Sequence, residues 1–386
     1  MAAVEEIKRA ALAVLLHNAH GPYKDLPRTA GWGYPEPYTR DWMIAALGIL
    51  VTKNEELMAV LRRLFVTLAQ HQTPHGHIPS LAHNPTDCGA SDTTPLFLIA
   101  LALYRAVTGE SDFLEDAAQK ALSWLEYQSP DDCVFVAQQP TSDWRDEQWV
   151  WGYGLYVNTL VYACLRLYDQ DKHAQRLHAL VNRAGIRRVE AELTIHEGLS
   201  LEDKPYYALW VYKAHIDERF DLLGNSLAIL FGLASQSKAN EIIAWVEAAC
   251  DRLRANGELA SALPPCLIPT IQPDDDDWRP RYHRFNQPGE YHNGGIWPFI
   301  VGFYIAALIA TGHSQLAKQK FNAFSELVQP AHSEKLVFGF NEWFRAQDGK
   351  PRGQDWQTWT AAMYLFAAAC VEEDKVPLFP QWQASG

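Results

Sequence analysis

Basic clusters, paired cysteines and long apolar runs are missing from this sequence, and each absence excludes a class of function. Asp and Glu number 46 against 33 Lys and Arg, a net charge of −13, and no Lys/Arg cluster of the kind that tracks phosphates occurs. Nucleic acid is therefore not an expected partner. The six cysteines, Cys88, Cys133, Cys164, Cys250, Cys266 and Cys370, stand far apart with no C-x-x-C, several of them inside apolar runs. They read as reduced thiols packed as small hydrophobes. No apolar stretch reaches the length of a membrane span, so no membrane partner is expected. There is no G-x-G-x-x-G after a strand, no P-loop and no G-x-S-x-G, which leaves nucleotide cofactors and a serine nucleophile without support. No cofactor is expected.

Two signals for a metal are thin. The acidic run "QPDDDDWRPR", with Asp274 to Asp277, lacks the carboxylate spacing of an EF-hand loop and reads as a solvated loop, although calcium stays open. His71, His75, His77 and His83 fall around "HQTPHGHIP", where Pro74 and Gly76 prevent a helix and no Cys/Asp ligand pattern joins them. No metal site is expected.

What is present is apolar and helical. Hydrophobic residues make up 48% of the 386 residues and charged residues 20%, enough to bury a large core. The opening "MAAVEEIKRAALAVLLHNAHG" carries Glu5 and Glu6 and breaks into helical periodicity instead of a signal core, so the chain is expected to be cytoplasmic. Period-3.6 patterning marks twelve stretches: 5–18, 41–52, 55–71, 94–107, 112–128, 155–169, 172–185, 223–235, 238–255, 296–311, 314–328 and 357–371. Period-two alternation is weak, and its short candidates, "VFVAQQ" and "LVFGF", fall between helices.

Helices such as "TPLFLIALALYRAV" and "IWPFIVGFYIAALIA" are apolar nearly all round, whereas their successors, such as "ESDFLEDAAQKALSWLEYQ", carry charge on one face. Alternation of buried with amphipathic helices predicts an all-α (α/α)6 toroid, inner and outer rings of six helices, as a single catalytic domain over residues 1–386. An open helical-repeat solenoid would also stack helix pairs, but no fixed period or repeated consensus is found.

Polar residues gather just before the inner helices. "PYTRDW" offers Arg40, Asp41 and Trp42, and "GASDTTP" offers Asp92; "TSDWRDEQWVWGYG" offers Asp143, Trp144, Arg145, Asp146 and Tyr153. "ERFDLLGN" adds Asp221 and Asn225, "GEYHNGGIWP" adds His292, Asn293 and Trp297, and "NEWFRAQDGKPRGQDWQTW" adds Glu342, Gln357 and Trp359. In a closed ring these segments share one end, so that Trp32, Trp42, Trp144, Trp149, Trp151, Trp297, Trp343 and Trp356 would line a pocket there. Aromatic walls with a few placed polar groups suit a sugar, whose C–H faces stack while its hydroxyls need donors and acceptors. Taken singly, Asp41, Asp92 and Asp221 stand where helix N-caps are common, and Asn293-Gly294-Gly295 is an ordinary turn. Neighbours such as Arg40, Trp144 and His292 are not required by a cap. Glycoside hydrolysis needs one carboxyl protonated and one ionised, and Asp143 or Asp146 with Glu342 supplies such a pair.

At these residues the sequence resembles the alkaline/neutral invertases and, more broadly, the six-hairpin glycosidases that include trehalase, glucoamylase and amylo-1,6-glucosidase domains. The resemblance is carried by "YTRDW", "RFDLLGNSLAIL", "YHNGGIWP" and "NEWFRAQDGKPRGQDWQTWTAAMYL", in order. It implies an inverting hydrolase with Glu342 as general base and Asp143 as general acid, and with Arg40, Asp41, His292, Asn293, Gln357 and Trp359 around the sugar. One departure stands at the acid. The invertases carry Asp-Arg-Arg-Met-Gly, whereas this chain reads Asp-Trp-Arg-Asp-Glu-Gln-Trp, closer to the Asp-Trp-x-Asp of debranching-type relatives. Asp146 is thus the alternative acid, and the substrate is open between sucrose and other small α-glucosides.

Three rivals remain: a debranching-type α-glucosidase, a sugar epimerase or isomerase on the same toroid, and a non-catalytic sugar-binding protein. The epimerase needs histidine pairs for proton transfer, and only His292 is well placed. Oligomeric state stays open, a homo-oligomer included.

Overall fold

The structure, a computed structural model, describes residues 3–130, 134–188, 193–196 and 198–379. Cys133 lies outside the described residues; Cys88, Cys164, Cys250, Cys266 and Cys370 are free thiols, all but Cys88 buried.

Among the described residues the helices are α1 (Val4–Asn18), α2 (Thr39–Thr52), α3 (Glu55–His71), α4 (Thr93–Thr108), α5 (Glu115–Tyr127), α6 (Leu155–Leu167), α7 (Asp171–Val181), α8 (Leu222–Leu230), α9 (Gln236–Ala255), α10 (Tyr282–Phe285), α11 (Pro298–Ala310), α12 (Ser314–Leu327) and α13 (Thr358–Glu373). All twelve periodic stretches form helices, and the added α10 is a single turn, too short for periodicity to reveal. The caps explain the ends. Asn54 Oδ1 accepts from Leu57 N to start α3, Ser235 Oγ accepts from Lys238 N to start α9, and Pro298 opens α11 where a missing N–H costs nothing. The start of α5 falls later than its pattern suggests, because Leu114 adopts φ 58° while Phe113 packs on Phe65 and Tyr104.

The inner helices α2, α4, α6, α8, α11 and α13 each pack on the next, and α13 packs back on α2. That last contact closes the ring and excludes a solenoid. Outside it, α3, α5, α7, α9 and α12 back α2, α4, α6, α8 and α11, while α1 backs α13 and so joins the first helix to the last. Burial follows the sequence contrast: α11 is buried from Pro298 through Ile309, but α3 only along Leu57, Val60, Leu61, Leu64, Phe65 and Leu68. No helix among the described residues is long and apolar enough to cross a membrane.

Short strands lie in the connections, among the described residues β1 (Tyr153–Gly154), β2 (Ile186–Arg188), β3 (Leu193–Ile195), β4 (Trp210–Tyr212), β5 (His215–Asp217), β6 (Phe220–Asp221), β7 (Leu267–Ile268), β8 (Trp343–Phe344) and β9 (Pro351–Arg352). They form antiparallel sheets β1-β4-β5, β2-β3, β6-β7 and β8-β9. The strand candidates "VFVAQQ" and "LVFGF" are not among them. The Asn158 side chain satisfies both the N–H and the C=O of Val136, replacing a ladder partner and letting Phe135 and Val136 enter the core as irregular chain.

Candidate active site

The pocket opens at the N-terminal end of the inner ring, because the residues that line it sit in the first turns of inner helices or just before them. Arg40 and Asp41 lie in the first turn of α2, Trp297 is the residue before α11, and Gln357 and Trp359 flank the start of α13. With Thr29, Tyr34, Tyr38, Trp144, Asp146, Tyr291, His292 and Glu342 they line one narrow pocket with a cavity of about 80 Å³.

Three carboxyl groups face this space: Asp41, Asp146 and Glu342. Glu342 precedes β8, its backbone N–H donates to Gln354 O, and its Oε2 accepts from Gln354 N at 3.1 Å. Burial, with only 6% of the residue exposed, pushes Glu342 up to about 8, and the charges of Asp41 and Asp146 push the same way against the Gln354 N–H. Burial likewise lifts Asp41 to about 7 although Arg40 opposes it. Its Oδ1 accepts from Gln357 Nε2 at 3.0 Å. Asp146 stands in the mouth with 60% of its side chain exposed. The surrounding walls raise it, Arg40 holds it down, and water entering the mouth discounts the rise. Arg40 is itself fixed: Nε donates to Asp92 Oδ2 at 2.6 Å and Nη2 to the Asp143 carbonyl at 3.1 Å.

The remaining wall is aromatic. His292 stacks on Tyr291 (4.0 Å between ring centres) and on Trp297 (5.4 Å), which also meet each other at 5.2 Å, with Trp144 edge-on at 5.0 Å. Burial, with Arg145 and Arg40 nearby, pushes its pKa well down, so the ring is neutral and its 3.9 Å contact with Asp146 is neither an ion pair nor a hydrogen bond. Trp359 stacks on Phe299 at 4.1 Å, and its Nε1, like Gln357 Oε1, is buried without a protein hydrogen-bond partner.

Asp143, expected as the acid, does not line the pocket. Its Oδ1 accepts from Arg145 N and its Oδ2 from Gln138 Nε2, so the carboxylate shapes its own loop. Arg145 is also behind the wall, fully buried under the Trp144 ring at 4.4 Å and ion-paired to Asp221. Asp221 further caps α8 through Leu223 N and Gly224 N. Asp92 occupies the N-cap position of α4 but spends its carboxylate on Arg40 and Tyr156. Asn225 bonds Tyr207 N and Asp221 O, and Asn293 bonds both backbone groups of Ile271. Tyr153 stacks on Phe135, and Trp42 is buried with its Nε1 donating to Arg28 O. These residues build the loops and do not touch the pocket. Of the tryptophans expected to line it, Trp144 and Trp297 do; Trp151 packs in the β1-β4-β5 sheet on Trp210 and Tyr212, Trp343 lies against Tyr291, Trp356 packs on Trp32, and Trp32 and Trp149 are exposed.

The buried pair under Trp144 carries a stability prediction. Asp221→Ala leaves the Arg145 charge without its partner and uncaps α8, so unfolding free energy is expected to fall by about 3–5 kcal/mol, read as a lowered Tm and denaturant midpoint. Gly353 carries another. At φ +68°, a Cβ there would fall 2.2 Å from Glu342 Oε2. Gly353→Ala is expected to displace that carboxylate, with an activity loss of about 10²-fold and no loss of helical circular dichroism.

Thr29, Tyr34, Tyr38 and Tyr291 were not singled out by sequence. Tyr34 precedes the "PYTRDW" stretch inside "GWGYPEPY", and only the fold of that Gly/Pro-rich loop turns it inward. The acidic run is engaged: Asp275 and Asp277, with Asp217, surround Arg219 at 2.7–3.0 Å. Among the described residues no three His, Cys, Asp or Glu converge as metal ligands. The histidines scatter, His71 to Ala82 O, His77 to Thr94 and His83 onto Tyr23.

Residues 167–374, more than half the chain, match the family model for alkaline and neutral invertase. The chain belongs to the alkaline and neutral invertase family. Among its members, alkaline/neutral invertase C, mitochondrial, of Arabidopsis thaliana is 28% identical over 179 residues, 44% of this chain and 24% of the relative. Neutral/alkaline invertase 1, mitochondrial, of Oryza sativa subsp. japonica is 32% identical over 161 residues, 39% of this chain and 23% of the relative. The matched part of this family member thus spans about a quarter of those relatives' length. The fold is that of a GH63 mannosylglycerate hydrolase from Thermus thermophilus, solved with Tris and D-glycerate (TM-score 0.66, 17% identity, 94% of this chain and 100% of that one). A bacterial glucoamylase complexed with acarbose shares it too (TM-score 0.61, 14% identity, 97% and 56%). The family match takes in Glu342, His292, Trp297, Gln357 and Trp359 but not Arg40, Asp41 or the 141–154 loop.

Proposed function

We propose that this invertase-family chain is an inverting glycoside hydrolase for small, uncharged α-glucosides, sucrose-like sugars foremost, with residues 1–386 as one catalytic unit. The observation that carries the reading is that two carboxyl groups from distant loops, Asp146 and Glu342, share one aromatic-walled pocket. Asp146 is the general acid and Glu342 the general base. Asp146 sits at the mouth, where a leaving group departs, and gives its proton to the glycosidic oxygen as the C–O bond breaks. Glu342, deeper, takes a proton from the water whose oxygen bonds to the anomeric carbon. Arg40, Asp41, Gln357 and Trp359 hold the sugar hydroxyls, and Trp144, Trp297 and the neutral His292 form the apolar wall.

Charge favours neutral substrates. Asp41, Asp146 and Glu342 face the space, while the cation beside them, Arg40, is paired with Asp92. An anionic aglycone would meet like charge at the mouth. The test is sugar release from sucrose, trehalose, maltose, isomaltose and glucosylglycerate. Release from sucrose is expected, with glucosylglycerate rejected; release from none of them overturns the reading. The Asp-Trp-x-Asp order of the acid loop favours a second reading, and release from maltose or isomaltose but not sucrose would establish that debranching-type specificity instead.

A further inference from the structure

Trp32 is 57% exposed, although large aromatic side chains are mostly buried and the wall beside it is built from buried tryptophans. It is not a loose side chain. Its ring leans on Trp356 (5.2 Å between ring centres) and His17 (5.3 Å), which themselves meet edge-on at 5.1 Å. Trp356 Nε1 donates to Phe338 O, and Gly31 is tied through its N–H to Trp356 O and through its carbonyl to Arg28 Nη1. A Cβ on Gly31 would fall 2.9 Å from Trp356 Cβ, so the close approach that seats Trp32 needs glycine there. The result is a fixed aromatic face, one side packed and the other turned to water.

Its position is set by both of its attachments. Tyr34, two residues on, lines the pocket, and two residues of chain span at most about 7 Å. Gln357, the residue after Trp356, also lines it, and Ala30 pairs with Gln357 across the strand-like contact that joins the two segments. Gly33 abuts the Gln354 side chain, whose backbone N–H holds Glu342. The face therefore adjoins the pocket wall beside Tyr34 and Gln357.

We propose that Trp32 is the stacking platform for the second sugar unit of the substrate, the one joined to the hexose held in the pocket. This deepens the glycosidase reading and rests on it. A pyranose or furanose ring presents C–H faces that lie on an indole, and a rigid indole costs little entropy to use. The platform selects a sugar leaving group over a small one without reading its hydroxyls.

The test uses Glu342→Gln as a background in which sugars bind without turnover. Affinities for sucrose, maltose, isomaltose and free glucose are measured by calorimetry with and without Trp32→Ala. The disaccharides that bind are expected to bind about tenfold more weakly when Trp32 is removed, the scale of one lost stacked ring, with glucose unchanged and Trp32→Phe restoring most of the loss. Equal disaccharide affinity overturns the platform and leaves the glycosidase reading intact. A parallel loss for glucose overturns it as well, because Trp32 would then act through pocket shape. If no sugar binds the Glu342→Gln background, both readings fall together. Unchanged sugar affinity with a concentration-dependent dimer that Trp32→Ala dissolves would assign the face to a second copy of the chain.

Discussion

Glu342→Gln is expected to lower kcat by about 10³-fold or more while leaving the fold intact, since it keeps shape and hydrogen bonding but cannot accept a proton from water. Retention of more than about a tenth of the activity would remove Glu342 from the chemistry. The same substitution has a second readout with a definite sign. Burial raises Glu342 from 4.5 to about 8 in the folded chain. A raised carboxyl favours folding fully below its unfolded pKa, and that contribution is lost as pH climbs from about 4.5 to about 8. Glu342→Gln escapes the loss, so its Tm is expected to exceed the wild type's increasingly from pH 5 to pH 8, by an amount corresponding to a few kcal/mol shared with Asp41. Activity runs differently. The base works only when ionised and the acid only when protonated, so kcat/KM of the wild type should be bell-shaped in pH, falling on the acid side as Glu342 is protonated and on the alkaline side as Asp146 is ionised, with apparent values belonging to the three coupled carboxyls.

The second large effect separates Asp146 from Asp143. Asp146→Asn removes the proton donor at the mouth and is expected to cost about 10²–10⁴-fold on glycosides with poor leaving groups, yet far less on a glucosyl fluoride, whose leaving group needs little protonation. Asp143→Asn keeps a side chain able to accept from Arg145 N, so its loss should be smaller and similar for both substrates. The reverse pattern, fluoride rescue in Asp143→Asn alone, would return the acid to Asp143.

The toroid was legible because its signal is repeated: six nearly all-apolar helices alternate with six one-faced ones, and only a closed ring buries the first kind on every side. The pocket end was legible for the same reason, since loops before inner helices must share it. Side-chain direction was not. Asp143 and Asp146 are three residues apart in an irregular loop, and which one faces the pocket depends on the Gln138 and Arg145 N–H donors that capture Asp143. Asp221, Asn225 and Asn293 look like ligands in sequence because loops of this kind need polar side chains to satisfy their own backbone, and that is where theirs go. Tyr34 and Tyr291 were hidden for the opposite reason: tyrosines are common, and nothing local to "GYPEPY" or "EYHNGG" marks the ring as turned inward.

The central claim, two carboxyls working from opposite sides of one sugar, is tested most directly by the configuration of the first product. Hydrolysis of sucrose, or of whichever α-glucoside in the panel is cleaved, is followed by proton NMR before mutarotation. An acid and a base with a water between them, carboxyl groups about 6.5–9.5 Å apart, must release β-glucose first. Release of α-glucose, which follows either from a covalent glucosyl intermediate on a closer pair or from breaking the fructosyl–oxygen bond of sucrose, would contradict the account.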